Sequence, residues 1–255
     1  MIDIHSHLLP GLDDGSKDLT TSLNLARDAV ADGITHSLMT PHHMNGRYTN
    51  HAADVIAATN TFQMALNEHQ IPLTVFPAQE VRINGDLIAA LEAGDILTAD
   101  AGGKYLLLEF PSNEVPAYTE RMFFDIQQHG LIPIIVHPER NEGMMTDPNI
   151  LYELESRGAL AQVTASSYVG TFGKAVQQFA EDIVGHGLAQ VFASDAHHIP
   201  GRDYEMQLAF EKLRKNYGEG KAEIFNENAK AIVNGDAVQL FKEEPIKKRK
   251  FFSKY

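Results

Sequence analysis

Seven short, mostly unbroken apolar runs recur along the chain, and each is followed by a longer stretch with helical spacing. The runs are IDIH near Ile2, THSLMT near Leu38, PLTVFPA near Val75, YLLLEF near Leu107, IPIIVHP near Ile134, ALAQVTA near Val163 and AQVFAS near Phe192. An unbroken apolar run suits a strand buried on both faces, as in a parallel sheet or barrel, whereas a half-buried strand would alternate. The first intervening helix is expected to be capped by Ser16, to carry Leu19, Leu23, Ala26 and Val30 on one face, and to stop at Gly33. Further helical patterns cover about 50–68, 86–93, 118–129, 149–157, 173–186, 204–217 and 221–234. Seven strand–helix units with right-handed crossovers predict a (β/α)7 barrel, with a doubly wound open sheet as the alternative.

The chain has 255 residues, 44% of them hydrophobic, enough for one core, and a single domain over 1–241 is expected. There is no cysteine, so a disulfide scaffold, a thiolate nucleophile and a Cys-ligated metal are all excluded. The formal net charge of −13 disfavours general binding to nucleic acid, which depends on clustered Lys and Arg. No apolar run approaches the ~18 residues of a membrane span. The N-terminus lacks the basic and apolar regions of a signal peptide, so a cytoplasmic protein is expected. The end of the chain, 242–255, departs from the rest, with six basic residues against two acidic ones and the run KKRK before Phe251 and Phe252. It reads as a flexible tail able to make weak, salt-sensitive contact with an anionic membrane surface or an acidic partner.

The ionisable residues collect at the downstream ends of the apolar runs. The first ends at His5 and His7, the second at His42 and His43, the third at Glu80, the fourth at Glu109, the fifth at His137, and the last at Asp195, His197 and His198. In a βα barrel all of these ends lie on one rim, and that rim carries the active site. His5 and His7, like Asp195 and His197, are two residues apart, which in a strand puts both on one face. Imidazoles and carboxylates together suit Mn²⁺, Fe or Zn²⁺. Closing six apolar strands with such groups would be costly without a cation to pair them. With Asp14 from the loop after the first strand, nine donors exceed what one ion needs and point to two or three.

DIHSHLLPGLDDG, TPHH, PAQEVRI, LLLEFP, VHPERN and SDAHH together resemble the motifs of the polymerase and histidinol phosphatase (PHP) superfamily. Within it the chain is most similar to the bacterial manganese-dependent protein tyrosine phosphatases of capsule and exopolysaccharide operons, from Met1 to about Asn234. The resemblance implies a distorted seven-stranded βα barrel. It also implies a first metal on His5, His7 and Asp195 with Glu80 bridging, a second on Glu80, Glu109 and His137, and a third on Asp14, His42 and His197. Asp13 is the alternative to Asp14, and His43 and His198 are neighbours of ligands. Manganese is the implied ion, with Fe, Zn, Co and Mg as alternatives.

The implied chemistry is attack on the phosphoryl group by a metal-bridging hydroxide, with no covalent phosphoenzyme. Arg140 and Arg202 resemble family positions for phosphate-binding arginines, each able to hold two oxygens, and Arg47 is a weaker candidate. A phenolate leaving group, with a pKa of about 10, needs little acid help. His42 or a metal-bound water is the candidate acid, and Met44, Tyr48 and Tyr168 are candidate contacts for a substrate ring. The expected partner is a tyrosine-phosphorylated protein, by resemblance the tail of a tyrosine autokinase in polysaccharide export. The alternatives are a small-molecule phosphoesterase such as histidinol-phosphatase and a metal-binding module without turnover.

Overall fold

The structure, a computed structural model, describes residues 1–198 and 204–247. Arg202 and residues 248–255 of the basic tail therefore lie outside the described residues. Among the described residues nine strands pair in parallel throughout, in two sheets. The first holds β1 (Ile2–Ser6), β2 (His36–Met39) and β4 (Thr74–Pro77), in that order. The second runs β3 (His42–His43), β5 (Glu80–Arg82), β6 (Tyr105–Glu109), β7 (Ile132–Val136), β8 (Leu160–Thr164) and β9 (Val191–Ala193). Strand pairing thus gives a parallel α/β protein of two sheets, not one closed ring, among the described residues.

The sheets divide where two strands break. β2 and β3 are one path interrupted at Thr40 and Pro41, and β4 and β5 are one path interrupted at Ala78 and Gln79. Pro41 has no N–H to give to a ladder. Beside it Thr40 N–H still donates to Ser6 C=O (3.0 Å), and the Thr40 hydroxyl adds to the pairing, accepting from Ser6 N–H (3.0 Å) and donating to Ser6 C=O (3.1 Å). β1 also runs beside the end of β9. Asp195 N–H donates to His5 C=O (2.8 Å), His7 N–H donates to Ala196 C=O (3.1 Å), and Ser6 and Ala196 form a parallel bridge.

The helices are α1 (Leu19–Ala31), α2 (Ala52–Glu68), α3 (Leu87–Glu92), α4 (Thr119–Gln128), α5 (Glu142–Thr146), α6 (Asn149–Ser156), α7 (Ala165–Val169), α8 (Lys174–Gly185), α9 (Met206–Tyr217) and α10 (Glu219–Asn234). Asp18, not Ser16, caps α1: its side chain accepts from Thr21 N–H at 2.9 Å, while Ser16 is buried two residues earlier. The short α5 and α7 were not foreseen, being too brief to show a helical period.

Alternate strand residues feed two apolar clusters, as the two-residue period requires. Leu106 and Leu108 of β6 pack in the large cluster with Phe123 and Ile126 of α4. Tyr105 and Leu107, with Ile134, Val136, Val191 and Ala193, form a smaller one that includes Ala229 and Ile232 of α10. Glu109 has the same parity as Tyr105 and Leu107, and Asp195 the same parity as Val191 and Ala193. On β6 and β9 the smaller-cluster face thus leads, at its downstream end, into an ionisable group.

Candidate metal centre

The described candidates converge at those ends. His5 Nε2 and His7 Nε2 face each other at 3.1 Å. Asp195 Oδ1 lies 3.5 Å from the first and 3.3 Å from the second. Glu80 Oε2 lies 3.4 Å from both. The other Glu80 oxygen, Oε1, meets His137 Nε2 at 2.8 Å, so one buried carboxylate spans two sub-sites. His42 Nδ1 lies 2.7 Å from Glu80 Oε2 and 3.5 Å from Glu109 Oε2. On its other side His42 Nε2 lies 3.3 Å from Asp14 Oδ1, which is also 3.5 Å from His197 Nε2. Three overlapping groups could each hold an ion: His5, His7 and Glu80; His42, Glu80 and Glu109; and His7, Asp14, His42 and His197.

A ring of outer partners aims these side chains. His7 Nδ1 bonds Asp13 Oδ2 at 2.7 Å, His5 Nδ1 bonds Gln162 Oε1 at 2.9 Å, and His197 Nδ1 bonds Asp195 C=O at 2.9 Å. Each bond occupies the outward nitrogen and leaves Nε2 to face the cluster, a usual way of fixing a metal-ligating imidazole. Asp13 and Asp14 therefore divide the work: Asp13 orients His7, and Asp14 faces His42 and His197. His137 and Asp195 both hold left-handed backbone conformations, with φ of 38° and 48°. L-residues adopt that region at a cost of order 1 kcal/mol, and such strain gathers where side chains must be re-aimed.

The donors fit cations better than they fit one another. Glu80 Oε2, His42 Nδ1 and Asp14 Oδ1 are buried and crowded, yet none makes a hydrogen bond of acceptable geometry. Burial would raise the Glu80 carboxyl, but the charges of His42 and His5 and the bond from His137 hold it well below the usual range. Burial works against a charged His42, and the charge of Glu80 with the nearby carboxylates of Asp14 and Glu109 outweighs it, raising the imidazole. His137 goes the other way, pushed to about 3 by burial and by the Arg140 charge. The nearby imidazoles of His197 and His42 lower Asp14. Neutral His137 beside ionised Glu80 is a ligand pair ready for a divalent ion.

A cavity of ≈ 240 Å³ opens on the cluster, lined by Asp14, His42, Glu109, His137, Arg140 and Asp195 among others. Arg140 reaches it from the 3₁₀ turn at Pro138–Arg140, with Nη2 bonded to Asp195 Oδ2 and the guanidinium 5.5 Å from the Phe172 ring centre. Its Nε has no hydrogen-bond partner. Tyr48 stacks on His42 with rings 6.1 Å apart and 9° from parallel. Tyr168, expected as a substrate contact, is instead fully buried in the core against Phe192. Its position after β8 suggested a rim loop, but α7 carries it inward.

Sequence reasoning missed Arg82. Its Nε and Nη2 donate to Glu109 Oε2 and Oε1 at 3.0 and 2.9 Å, a bidentate pair across β5 and β6. The signal was present in QEVRI: two residues from Glu80 on a strand, Arg82 shares its face. Gln162 and Asp13 were missed as orienting groups because neither is distinguishable from other polar residues without the imidazole it meets.

Fold and site define a parallel α/β protein carrying a His- and carboxylate-rich centre whose groups could hold metal. The chain belongs to the CpsB/CapC family of capsular polysaccharide synthesis, whose model matches residues 1–234. It is 40% identical over 252 residues to tyrosine-protein phosphatase YwqE of Bacillus subtilis, covering 99% of each chain. It is 26% identical to tyrosine-protein phosphatase CpsB of Streptococcus pneumoniae, over 91% of this chain and 98% of that one. A crystal structure from the work on YwqE and CpsB, described as metal-dependent tyrosine phosphatases, matches with a TM-score of 0.93 at 39% identity, covering 97% of this chain and 100% of that one.

Proposed function

We propose that this chain is a metal-dependent protein tyrosine phosphatase that hydrolyses phosphotyrosine in a protein of capsule or exopolysaccharide synthesis. The observation that carries the reading is the bridging Glu80, whose two oxygens face His5, His7 and His42 on one side and His137 on the other. Family membership and the names of the similar phosphatases support it. His5, His7, Asp195 and Glu80 would hold one ion, Glu80, Glu109 and His137 a second, and Asp14, His42 and His197 a third. Manganese is the expected ion. When bound, such cations supply Lewis acidity toward phosphoryl oxygens and lower the pKa of water.

The chain's own residues do the rest. Arg140 stands on the cavity wall with an unused Nε and can turn its guanidinium edge to two phosphoryl oxygens. Arg202 is proposed as the second phosphate-binding arginine. His42, 12% exposed beside the cavity, can hand a proton to the departing phenolate oxygen. Tyr48, stacked on His42, is placed to meet a substrate ring.

The proposed partner is the phosphorylated tail of a tyrosine autokinase, with the basic segment 242–255 aiding a weak encounter at an anionic membrane surface. No helix among the described residues is long and apolar enough to cross a membrane, and a cytoplasmic location is proposed. We propose further that the two sheets are parts of one distorted (β/α)7 barrel in a single domain over 1–241. The Ser6–Ala196 bridge and the continuity of β2 into β3 and β4 into β5 support that reading. The test is phosphate release from a phosphotyrosine peptide and from histidinol phosphate, after chelation and again after adding Mn²⁺. Release from the peptide only with the metal is expected. Release from histidinol phosphate alone would favour the small-molecule alternative and remove this one.

A further inference from the structure

Asp3 is an acidic residue inside the apolar run IDIH, and the proposed ion sites make no use of it. It is fully buried, as is Ser194, the residue before Asp195. Burying a carboxylate is costly unless donors replace its water. Asp3 finds three. Its Oδ1 accepts from Ser194 N–H at 2.9 Å and from His5 N–H at 3.3 Å. Its Oδ2 accepts from the Ser194 hydroxyl at 2.6 Å. The hydroxyl oxygen in turn accepts from Ala196 N–H at 3.1 Å. These bonds join β1 to the end of β9, where strand pairing is reduced to the single Ser6–Ala196 bridge.

We propose that Asp3, acting through Ser194, is a positioning residue for the ion assigned to His5, His7, Asp195 and Glu80. Asp195 needs such support, because its backbone is left-handed, with φ of 48°, a region L-residues enter only at a cost. The Asp3–Ser194 pair fixes the residues on both sides of it, Ser194 at its N–H and hydroxyl and Ala196 at its N–H. The same carboxylate holds His5 N–H, and His5 C=O accepts from Asp195 N–H at 2.8 Å. One buried group thus sets the spacing of Asp195 Oδ1 from the Nε2 atoms of His5 and His7, 3.5 and 3.3 Å. Without it the turn can relax toward the ordinary φ region, which carries Oδ1 away from the imidazoles. Asp3 does not line the cavity and acts on the ion only through the backbone that carries its donors. The proposal rests on the reading of the cluster as a metal centre.

The test titrates Mn²⁺ into the chelated full chain, Asp3→Asn and Ser194→Ala, with free Mn²⁺ read by electron paramagnetic resonance. Ser194→Ala keeps the backbone donor and loses only the hydroxyl, so it decides the matter if Asp3→Asn fails to fold. The expected result is one Mn²⁺ bound about 10–100-fold more weakly in each variant, the loss that follows removal of an orienting partner. Phosphate release from a phosphotyrosine peptide should return at high Mn²⁺, with KM within twofold of the parent's. Binding of every Mn²⁺ as tightly as in the parent, whatever the fall in thermal midpoint, overturns the proposal and leaves Asp3 a purely structural residue. Turnover that stays low with all ions bound overturns it as well. A parent chain that binds no Mn²⁺ removes the metal-centre reading itself, and the positioning role with it.

Discussion

Glu109 reaches the cluster already gripped at both oxygens by Arg82, and its Oε2 also faces His42. Each carboxylate oxygen has a second lone pair, so Arg82 can fix the group without using up its capacity for a cation. Arg82→Met should weaken Mn²⁺ binding about 10–100-fold, as loss of an outer partner does. Arg82→Lys should recover little of that, since one ammonium cannot copy the fork. Calorimetric titration of the chelated protein measures both. Away from the cluster, Glu155 of α6 is 3% exposed and takes one bond, from Gln190 Nε2 at 3.0 Å, with Oε1 unpartnered. Burial raises its carboxyl well above the usual range, and the Glu243 charge adds to this. A carboxyl raised in the folded state carries no penalty below its unfolded pKa. The penalty grows as pH rises through the folded value and is complete above it. Glu155→Gln should therefore stabilise the protein by roughly 1–2 kcal/mol at pH 8 and change little at pH 4. Urea unfolding at the two pH values reads the difference.

The first loop shows how an element depends on one small residue. A Cβ added to Gly15 would lie 2.2 Å from His7 C=O and 2.6 Å from His7 Cβ. The same turn is closed by Ser16 N–H to His7 C=O at 3.2 Å and by Gly15 N–H to Asp13 Oδ1 at 2.9 Å. Gly15→Ala should therefore move His7, Asp13 and Asp14 together. The expected outcome is a loss of roughly 1–3 kcal/mol in chemical unfolding, with Mn²⁺-dependent turnover falling at least tenfold. Much at this scale was legible in the sequence. All seven apolar runs contain a strand, and the eight long helical patterns coincide with helices to within a few residues. Unbroken apolar composition and 3–4 spacing are local signals of burial on both faces or on one stripe. The short β3 and β5 were not legible as separate strands, because the breaks at Pro41 and Ala78–Gln79 depend on where neighbouring ladders end. The candidate site was legible as strand ends carrying His and carboxylates. Arg82, Gln162 and the division between Asp13 and Asp14 depend on contacts across strands far apart in sequence.

At the scale of the molecule, the cluster draws on Met1-proximal residues and on residues near 42, 80, 109, 137 and 195, so only the folded chain assembles it. The end of the described chain is tied down on the same body: Asn228 holds Gln239 at both its N–H and its C=O, Glu244 N–H donates to His186 C=O, and Ile246 is buried. Cations that bind only this assembled state stabilise it by mass action. The central claim is that the assembled donors make hydrolysis of phosphotyrosine depend on bound cations through Glu80. The most direct measurement is phosphate release from a phosphotyrosine peptide by the chelated protein as Mn²⁺ is titrated, in parallel with Glu80→Ala. Release should be absent before metal, rise as ions bind, and stay at background in Glu80→Ala at every Mn²⁺ concentration. Undiminished release by the chelated protein, or by Glu80→Ala, would contradict it.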